Sequence, residues 1–305
     1  MERVVITGGT GLIGSRLKEL LEIKGYEVCF LSRSSKKKED VTFYSWDIDK
    51  KEIDSNAIEN TDYIVHLAGA NIGEKRWTES RKKEIVNSRV SSGQLLLNQF
   101  KENKFKLKAF ISASAIGYYG AITSEKVYTE EDLPGNDFLG KTCEKWEESI
   151  RDFEKLGIRT VKIRTGLVLS KKGSALDKLI IPFKWGIGSP SGSGKQFMPW
   201  IHIDDLCGIY IKAIEDSKME GVYNAVAKEC CTNNTFCKTL SEVLQKPFFF
   251  PNIPSILLKI ILGEMSDLIL KGSKVSSTKI SQSGYKFIYP KLKETLENVL
   301  NVHPK

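Results

Sequence analysis

A glycine-rich loop at the start of the chain leaves few folds open to this sequence. The loop reads Thr7-Gly8-Gly9-Thr10-Gly11-Leu12-Ile13-Gly14. It follows an apolar run, Arg3 to Thr7, and opens a helical pattern, Ile13 to Ile23. In this setting Gly8 permits a tight turn, Gly11 lets the backbone approach a pyrophosphate, and Gly14 lets helix and strand pack closely. The free N–H groups and the dipole at a helix N-terminus favour an anion. The loop therefore predicts a dinucleotide site, the alternative being an ordinary glycine-rich turn.

Short β-rich runs alternate with helical patterns through the first half of the chain, which is typical of right-handed βαβ units around a parallel sheet. The predicted strands are Arg3 to Thr7, Glu27 to Leu31, Thr42 to Trp46, Tyr63 to Leu67, Ala109 to Ala113, Thr160 to Ile163 and Gly221 to Val226. The predicted helices are Ile13 to Ile23, Arg81 to Phe100 and Lys141 to Lys155, with an Asp-capped helix from about Asp204.

These elements predict an α/β fold, a doubly wound parallel sheet of the Rossmann type with a smaller C-terminal region on the substrate side. We expect residues 1–168 to form the nucleotide-binding domain, with its sheet completed by residues 200–228. Residues 169–199 and 229–305 form the substrate-side region in this interpretation.

Ile253 to Leu270 is apolar but interrupted by charged residues, so it predicts an amphipathic, partly buried helix rather than a membrane span.

The end of the second strand distinguishes between nicotinamide cofactors. A carboxylate there would bind the ribose 2′-OH of NAD, whereas Ser32-Arg33 stands in this chain and suits the 2′-phosphate of NADP. The sequence therefore favours NADP, unless Arg33 only stacks on the adenine. The predicted cofactor-binding residues are Thr7, Gly8, Gly11, Leu12, Ile13, Gly14, Ser32, Arg33, Asp47, Leu67, Ala68 and Gly69.

Further motifs give the chain a family resemblance. They are Gly73-Glu-Lys-Arg-Trp77, Ser88-Arg89-Val90, Ser112-Ala-Ser-Ala-Ile-Gly-Tyr-Tyr-Gly120, Phe138-Leu139, Trp146-Glu147, Met198-Pro-Trp-Ile-His-Ile-Asp-Asp205, Gly263-Glu-Met265, Gly284-Tyr-Lys-Phe287 and Tyr289-Pro290. With them the chain resembles the extended short-chain dehydrogenases of the NAD-dependent epimerase/dehydratase superfamily. It is most similar to their atypical YfcH-like "epimerase family" branch, over nearly its whole length.

The resemblance also shows where the chain departs from the usual chemistry of that group. Ordinary members use Tyr-x-x-x-Lys with a Ser or Thr, the tyrosine exchanging a proton with the substrate oxygen and the lysine holding the nicotinamide ribose. When Glu147 is set against the glutamate that usually follows, Leu139 takes the tyrosine position and Cys143 the lysine position. Ser114 matches the usual serine, and Tyr118 follows it after the fifth strand. We therefore predict Ser114 and Tyr118 as the catalytic residues, the alternative being that Tyr118 and Tyr119 only pack in the cleft wall.

Other polar residues have weaker patterns. His202 alternates with apolar neighbours before a helix cap, which favours a structural hydrogen bond over proton transfer, and His66 lies inside a strand. Lys195, Arg89 and Arg164 are candidates to meet an anionic group, although each arginine could equally pair with a carboxylate. We expect a basic surface loop at Lys36 to Lys38, and no metal site.

Charge and cysteine content limit the partners and the compartment. The net charge is +8, but basic and acidic residues are mixed along most of the chain and no nucleic-acid-binding signature accompanies them. We therefore expect a small-molecule substrate, no nucleic-acid or membrane partner, and an oligomeric state that the sequence leaves open, a homo-oligomer included. The cysteines lack paired metal spacing and the N-terminus lacks a signal-peptide pattern, which favours the cytoplasm.

Two functions remain compatible with these features. The first is an NADP-dependent oxidoreductase or epimerase-like enzyme that acts on a small carbonyl or nucleotide-sugar-like compound. The second is an NADP-binding sensor or interaction protein whose catalysis is lost or residual, which the missing tyrosine and lysine would explain. A shared fold does not choose between them.

Overall fold

A large, mostly parallel sheet lies at the centre of the computed structural model, which describes residues 1–33, 41–103, 105–171 and 173–302. In chain order the strands are β1 (Arg3–Thr7), β2 (Glu27–Ser32), β3 (Thr42–Asp47), β4 (Glu52–Ile53), β5 (Tyr63–His66), β6 (Ala109–Ala115), β7 (Val127–Tyr128), β8 (Arg159–Thr165), β9 (Leu167–Leu169), β10 (Trp200–His202), β11 (Gly221–Ala225) and β12 (Lys274–Val275). Across the large sheet the order is β11-β8-β6-β5-β1-β2-β3-β4, with β4 antiparallel to β3 and the other pairs parallel. The predicted Rossmann-type fold is therefore confirmed.

Helices cover both faces of this sheet. They are α1 (Leu12–Ile23), α2 (Glu79–Asn103), α3 (Phe138–Ser149), α4 (Asp152–Lys155), α5 (Leu176–Lys184), α6 (Ile203–Glu215), α7 (Asn233–Val243), α8 (Ser255–Leu262), α9 (Asp267–Leu270), α10 (Thr278–Gln282) and α11 (Leu292–Leu300). On one face α1 and α6 pack through Leu17 and Leu206 onto β1, while on the other α2 and α4 pack through Leu96 and Phe153. Burial on both faces explains why the central strands are apolar throughout.

The chain changes direction across the sheet between β1 and β5. From β1 the strand order runs one way through β2 and the other way through β5, and these parallel strands bring their carboxyl ends to the same edge. Open α/β sheets bind ligands in the crevice at such a point. The glycine loop after β1 therefore lies at the edge where a ligand is expected.

Two sequence predictions about the later helices are wrong. The helix near Asp204 is not capped by an aspartate: α6 begins at Ile203, and the Nδ1 atom of His202 accepts the Asp204 N–H at 3.0 Å. An extended backbone at His202 places its imidazole where a cap acceptor is needed. The single helix expected from Ile253 to Leu270 is divided, because Gly263 adopts a left-handed conformation (φ +62°) between α8 and α9. The segment is partly buried, as expected: Leu258 and Leu262 of α8 are half-buried and Ser266 is buried.

The C-terminal region has a smaller core of its own. It contains Trp200 and residues of α5, α7 and α11. Asp205 of α6, fully buried, holds the returning chain: its carboxylate accepts hydrogen bonds from the Tyr285 hydroxyl at 3.0 Å, the Ile288 N–H at 2.7 Å and the Tyr289 N–H at 2.9 Å. The Lys36 to Lys38 run, expected to form a basic loop, lies outside the described residues.

Candidate nucleotide-binding and active site

The glycine loop has the local geometry that a dinucleotide requires. Gly8 lies at φ +68°, and a Cβ there would stand 3.0 Å from the Leu67 carbonyl. A Cβ at Gly14 would stand 2.5 Å from the Gly9 Cα, so both glycines are needed by the protein itself. At Gly11, apart from its chain neighbours, a Cβ would meet only one atom of the described residues within 4 Å, the Gly8 carbonyl oxygen at 3.2 Å. Gly11 therefore faces space that the described chain does not fill.

The N-terminus of α1 is open to an anion. Gly11 is its N-cap, no side chain caps the helix, and its first turn holds no acidic residue. The N–H groups of Leu12 and Ile13 belong to the first turn, which has no intrahelical acceptor to offer them. These free donors and the helix dipole make the turn suitable for a pyrophosphate.

Ser32 and Arg33 stand next to this turn. Ser32 ends β2, whose Leu31 pairs with Thr7 in the parallel register. Arg33 is exposed and forms no ion pair with any residue that the structure describes. A guanidinium at this position is available to a 2′-phosphate.

Hydrogen bonds join Thr7, where the glycine loop begins, to the residues that follow β5. The buried Thr7 hydroxyl accepts the N–H groups of Leu67 and Ala68 at 3.1 Å each and shares a 2.8 Å hydrogen bond with His66 Nδ1. The Nε2 atom of His66 lies 3.1 Å from the Ser92 hydroxyl, and burial lowers the pKa of His66 to about 4. Thr7 and His66 thus hold the ends of β1 and β5 together. The Thr7 side chain is used within the protein.

Asp47 and Gly69 lie at opposite ends of the expected cofactor path. Asp47 ends β3, and its Oδ1 accepts the N–H groups of Asp49 and Lys50 at 3.0 Å each, so it caps the turn that follows. Gly69 is exposed and lies against the side chain of Arg89. Neither placement tests their assignment to the cofactor.

A buried ion pair organises the carboxyl ends of β6 and β8. The Arg164 guanidinium binds both oxygens of Glu147, at 2.8 and 2.9 Å, and the Ser114 hydroxyl donates to Glu147 Oε1 at 2.7 Å. The guanidinium carbon also lies 3.3 Å from the centre of the Tyr118 ring. Both predicted catalytic residues therefore contact the same ion pair, Ser114 through the carboxylate and Tyr118 through the guanidinium.

The two tyrosines after β6 have different environments. Tyr119 is buried, donates to Asn224 Oδ1 at 2.7 Å and accepts from Arg164 at 3.1 Å, and burial raises its pKa to about 12. Tyr118 is half-buried, and burial raises its pKa against the opposing charge of Arg164. Tyr119 is a structural residue here, while Tyr118 remains accessible and keeps its proton at neutral pH.

Buried side chains occupy the two positions that carry tyrosine and lysine in ordinary members of the resembled family. Leu139 packs with Trp77 and Ile85, and Met265 joins this cluster from the C-terminal region. Cys143 lies next to Gly117, and burial raises the pKa of its thiol to about 12. Both residues share one face of α3 with Glu147, and neither can exchange a proton near neutral pH.

Sequence reasoning missed the ion pair that connects these residues. The sequence makes Arg164 a candidate for an anionic group or a carboxylate, but it does not identify Glu147 as the partner or place the pair almost fully inside the protein. Glu130 extends the network to β11, because its carbonyl oxygen accepts from Arg164 and its carboxylate accepts from the Asn224 N–H. Nothing local in the sequence marks contacts between such distant segments.

The remaining polar residues near the cleft are mostly hydrogen-bonded within the protein. His202 accepts from the backbone, lies 3.1 Å from Asn298 Oδ1 and stacks on Tyr289, so the structure supports its predicted structural role. Gln196 is buried and donates to Ser191 and Ile269 carbonyls, while Lys195 is exposed. Within the described ranges no cluster of His, Cys, Asp and Glu could hold a metal ion. The helices of the same ranges include no candidate for a membrane-spanning segment.

The amino-acid sequence is similar to those of known epimerase family proteins over nearly its whole length. The Epimerase family protein SDR39U1 of Mus musculus is 35% identical over 303 residues, which cover 98% of this chain and 99% of the relative. The Epimerase family protein YfhF of Bacillus subtilis (strain 168) is 34% identical over 300 residues, covering 97% of each chain.

Solved structures give the same result. Human epimerase family protein SDR39U1 (isoform2), crystallised with NADPH, has a TM-score of 0.88 and 34% identity over 98% of this chain and 99% of its own. UDP-glucuronic acid 4-epimerase from Bacillus cereus has a TM-score of 0.79 at 22% identity over 98% of each chain, which shows a likeness of fold alone. The model of the NAD dependent epimerase/dehydratase family matches residues 4–225, and that of a domain of unknown function, DUF1731, matches residues 253–299. The chain therefore belongs to the NAD dependent epimerase/dehydratase family and carries a DUF1731 segment at its C-terminal end.

Proposed function

We propose that this protein is an NADP-dependent oxidoreductase or epimerase-like enzyme that acts on a small carbonyl or nucleotide-sugar-like substrate. The observation that carries the proposal is the open space over Gly11 beside the uncapped end of α1, with the exposed Arg33 at the end of the neighbouring strand. The NADPH of the human relative supports the same cofactor here. When bound, NADP(H) supplies or accepts the hydride. The loop and α1 hold its pyrophosphate, Ser32 and Arg33 its 2′-phosphate, and Asp47 and residues 67–69 the adenine and ribose walls.

Arg33 is expected to set the preference for NADPH over NADH. A guanidinium can form charge-assisted hydrogen bonds with the 2′-phosphate, each contributing about 1.5 to 3 kcal/mol, so NADPH should bind at least about tenfold more tightly. Fluorescence titration of both nucleotides tests this. In Arg33→Asp the preference should disappear, while Lys83→Met, which removes an exposed charge from α2, should leave it unchanged. Equal affinities in the unmodified protein would contradict the assignment.

The proposed proton donors are Ser114 and Tyr118. Hydride transfer to a carbonyl leaves negative charge on its oxygen, which needs a nearby donor. Tyr118 keeps its proton at neutral pH, because burial raises its pKa. The Ser114 hydroxyl donates a hydrogen bond to Glu147 Oε1 in this structure, so it must turn from that carboxylate to the substrate oxygen to act as a donor. Reduction should therefore be the easier direction.

A screen of carbonyl compounds and nucleotide sugars for NADPH consumption identifies the substrate and allows these roles to be tested. We expect Tyr118→Phe to lower kcat by about 100-fold or more, within the range typical of a lost general acid, and Ser114→Ala to lower it less. Cys143→Ala serves as the control and should retain activity. The assignment is wrong if both hydroxyl variants keep full activity, or if Cys143→Ala alone removes it while NADPH still binds.

One specific observation favours a second function. Leu139 and Cys143 are buried at the positions that carry the tyrosine and the lysine in ordinary members of the resembled family. Under this alternative the protein binds NADP(H) as a sensor or interaction partner without turnover. Tight NADPH binding, no consumption with any compound of the screen and a ligand-dependent change in hydrogen exchange away from the glycine loop would favour it.

The proposal extends to organisation and location. We propose residues 1–168, with residues 200–228, as the nucleotide-binding domain, and residues 169–199 and 229–305 as the substrate-side region. All six cysteines are free thiols, and Cys230 alone among them is exposed, which supports a reducing, cytoplasmic compartment. Sedimentation would establish whether a homo-oligomer forms.

A further inference from the structure

Helix α8 turns its apolar side toward solvent. Its exposed apolar residues are Ile256, Leu257, Ile260 and Ile261. At helical spacing these four fall on one side of the helix, while the half-buried Leu258 and Leu262 lie on the other. A surface helix ordinarily packs its apolar stripe against the core. The described residues leave the stripe of α8 uncovered, with Ile256 71% and Ile260 67% exposed.

Aromatic side chains continue this surface on the segment before α8. Phe249 is 75% exposed, and its ring stacks on that of Phe250 with 4.6 Å between the ring centres. The segment contacts the turn after α5, because a Cβ built on Gly186 would stand 3.7 Å from Cδ of Pro247. Trp185, in the same turn, is 79% exposed. Exposed aromatic rings therefore occur on both of these neighbouring segments.

Backbone hydrogen bonds hold the two segments together. The Ile253 N–H donates to the Pro190 carbonyl and the Gly192 N–H donates to the Ile253 carbonyl, both at 2.8 Å. Residues 185–195 and 247–262 therefore lie side by side, and we call their exposed apolar side chains the apolar face. Exposed apolar patches on a folded protein mark sites of interaction.

The charged side chains around the apolar face are all cations. Residues 178–195 and 243–263 contain five lysines and no acidic residue, whereas the whole chain has 38 acidic against 46 basic residues. The five are Lys178, Lys184, Lys195, Lys246 and Lys259, and all are exposed. None of them pairs with a carboxylate of the described residues. The surface is therefore complementary to an anionic partner.

The shape and chemistry of the apolar face favour a lipid surface as that partner. Side chains as exposed as Trp185 and Ile256 project from the protein instead of lining a groove, so they suit insertion between lipid headgroups. Tryptophan and phenylalanine are favoured at the membrane interface, and lysines are attracted to anionic headgroups. A symmetric contact with a second copy would bring the same lysines together from both subunits, which is unfavourable.

We propose that the apolar face docks the protein on a membrane surface that carries anionic lipids. Helix α8 and the ring of Phe249 enter the headgroup boundary, and the surrounding lysines contact lipid phosphates. The docking is peripheral, since α8 is only eight residues long. It is independent of the proposed NADP chemistry, and it replaces the expectation of no membrane partner that the whole-chain pattern favoured.

Vesicle co-sedimentation tests the apolar part of the proposal. We expect binding to vesicles of equal parts phosphatidylglycerol and phosphatidylcholine to be at least about tenfold stronger than to phosphatidylcholine alone. Ile260→Glu should weaken the binding to anionic vesicles by at least about tenfold, because a carboxylate replaces an inserted apolar group and is repelled by the lipid. Ile23→Glu is the matched control, since Ile23 of α1 is 80% exposed and lies outside the apolar face. Its binding should stay within about twofold of the unmodified protein.

A second pair of variants tests the cationic part. Lys184→Gln combined with Lys259→Gln should lower the affinity for anionic vesicles by at least about tenfold, because each lysine near the lipid contributes separately. The control combines Lys51→Gln with Lys218→Gln, two exposed lysines of other turns, and should change the affinity by less than about twofold. Equal losses in the two double variants would show that only the net charge matters and would overturn the role of the apolar face.

The remaining outcomes decide between lipid, protein and no partner. No binding of the unmodified protein to anionic vesicles would overturn the proposal, as would equal binding of Ile260→Glu and Ile23→Glu. A dimer in sedimentation velocity that Ile260→Glu converts to a monomer, without vesicle binding, would assign the face to contact between copies instead. A thermal melt checks that each variant folds. Should Ile260→Glu not fold, Ile256→Ser removes an exposed apolar group without adding charge, and it should still bind anionic vesicles more weakly than Ile23→Ser.

Discussion

Gly11 differs from the other glycines of its loop in what a side chain there would meet. Its backbone lies at φ −78°, which any residue adopts, and a Cβ would contact little of the protein. Gly8 and Gly14 are required by the fold, because one has a positive φ and the other touches the backbone of Gly9. Nothing in the described part of the chain therefore requires glycine at position 11, and the proposed nucleotide would explain it.

We predict that Gly11→Val folds but does not bind NADPH. The valine methyl groups would enter the space above the loop, where a pyrophosphate must approach the backbone, while the fold loses at most about 1 kcal/mol at an N-cap position. Fluorescence titration measures the binding and a thermal melt measures the fold. Gly14→Val is the contrasting variant and should unfold. A Gly11→Val protein that binds NADPH normally would show that the loop serves another purpose.

Helix α6 is linked to the returning C-terminal chain by a single side chain. One buried carboxylate, that of Asp205, satisfies a hydroxyl and two backbone N–H groups from residues 285–289. His202 and Tyr289 stack beside it, and Arg16 joins α1 to the same helix through Asp204 at 2.7 Å. This helix therefore connects the nucleotide-binding sheet to the segment matched by DUF1731.

We predict that Asp205→Asn releases that segment. The asparagine amide has one acceptor oxygen fewer, and its NH2 group faces a backbone N–H. One buried N–H therefore loses its acceptor, which should lower the free energy of unfolding by about 1 to 3 kcal/mol. Hydrogen exchange at the Ile288 and Tyr289 amides should accelerate, and denaturant unfolding should give the loss of stability. Asp204→Asn is the matched control: its partner Arg16 is partly exposed, so the loss should stay below about 1 kcal/mol. Equal effects of the two substitutions would contradict this view of Asp205.

Sequence patterns predicted the elements of the sheet better than the contacts between them. The strands around Val4 and Ile64 were predictable because burial on both faces requires continuous apolar runs. The cap at His202 was not, since an imidazole seldom takes that place and its geometry depends on the preceding strand. The pairing of Ser114 and Arg164 with Glu147 was also hidden, because it joins two strands and a helix through tertiary packing. In the candidate site, the glycine loop was therefore predictable from the sequence, whereas the hydrogen-bonded network around Glu147 was not.

The crevice at the edge of the large sheet depends on β1 and β5 staying in register at their carboxyl ends. The Thr7 hydroxyl accepts two N–H groups from the β5 side, so its own proton points to His66 Nδ1. The Ser92 hydroxyl donates to the carbonyl of Ser88 and can accept from His66 Nε2. His66 is thereby suited to be neutral, with its proton on Nε2. A second proton on Nδ1 would oppose the Thr7 hydroxyl.

This arrangement predicts a loss of global stability in mild acid. The folded pKa of His66, about 4, lies below the ordinary value of 6.5, so the unfolded chain binds the proton more readily. Its contribution is fully present above pH 6.5 and declines as the pH falls toward 4, by about 2 kcal/mol between pH 7.5 and pH 5. Urea unfolding across this range measures the slope. His66→Gln should be less stable at pH 7.5, because it loses the bridge between Thr7 and Ser92, but its stability should fall less steeply with acid. If the two proteins lose stability in parallel between pH 7.5 and pH 5, His66 does not bind the proton on unfolding, and the neutral bridge between β1 and α2 is the wrong description of it.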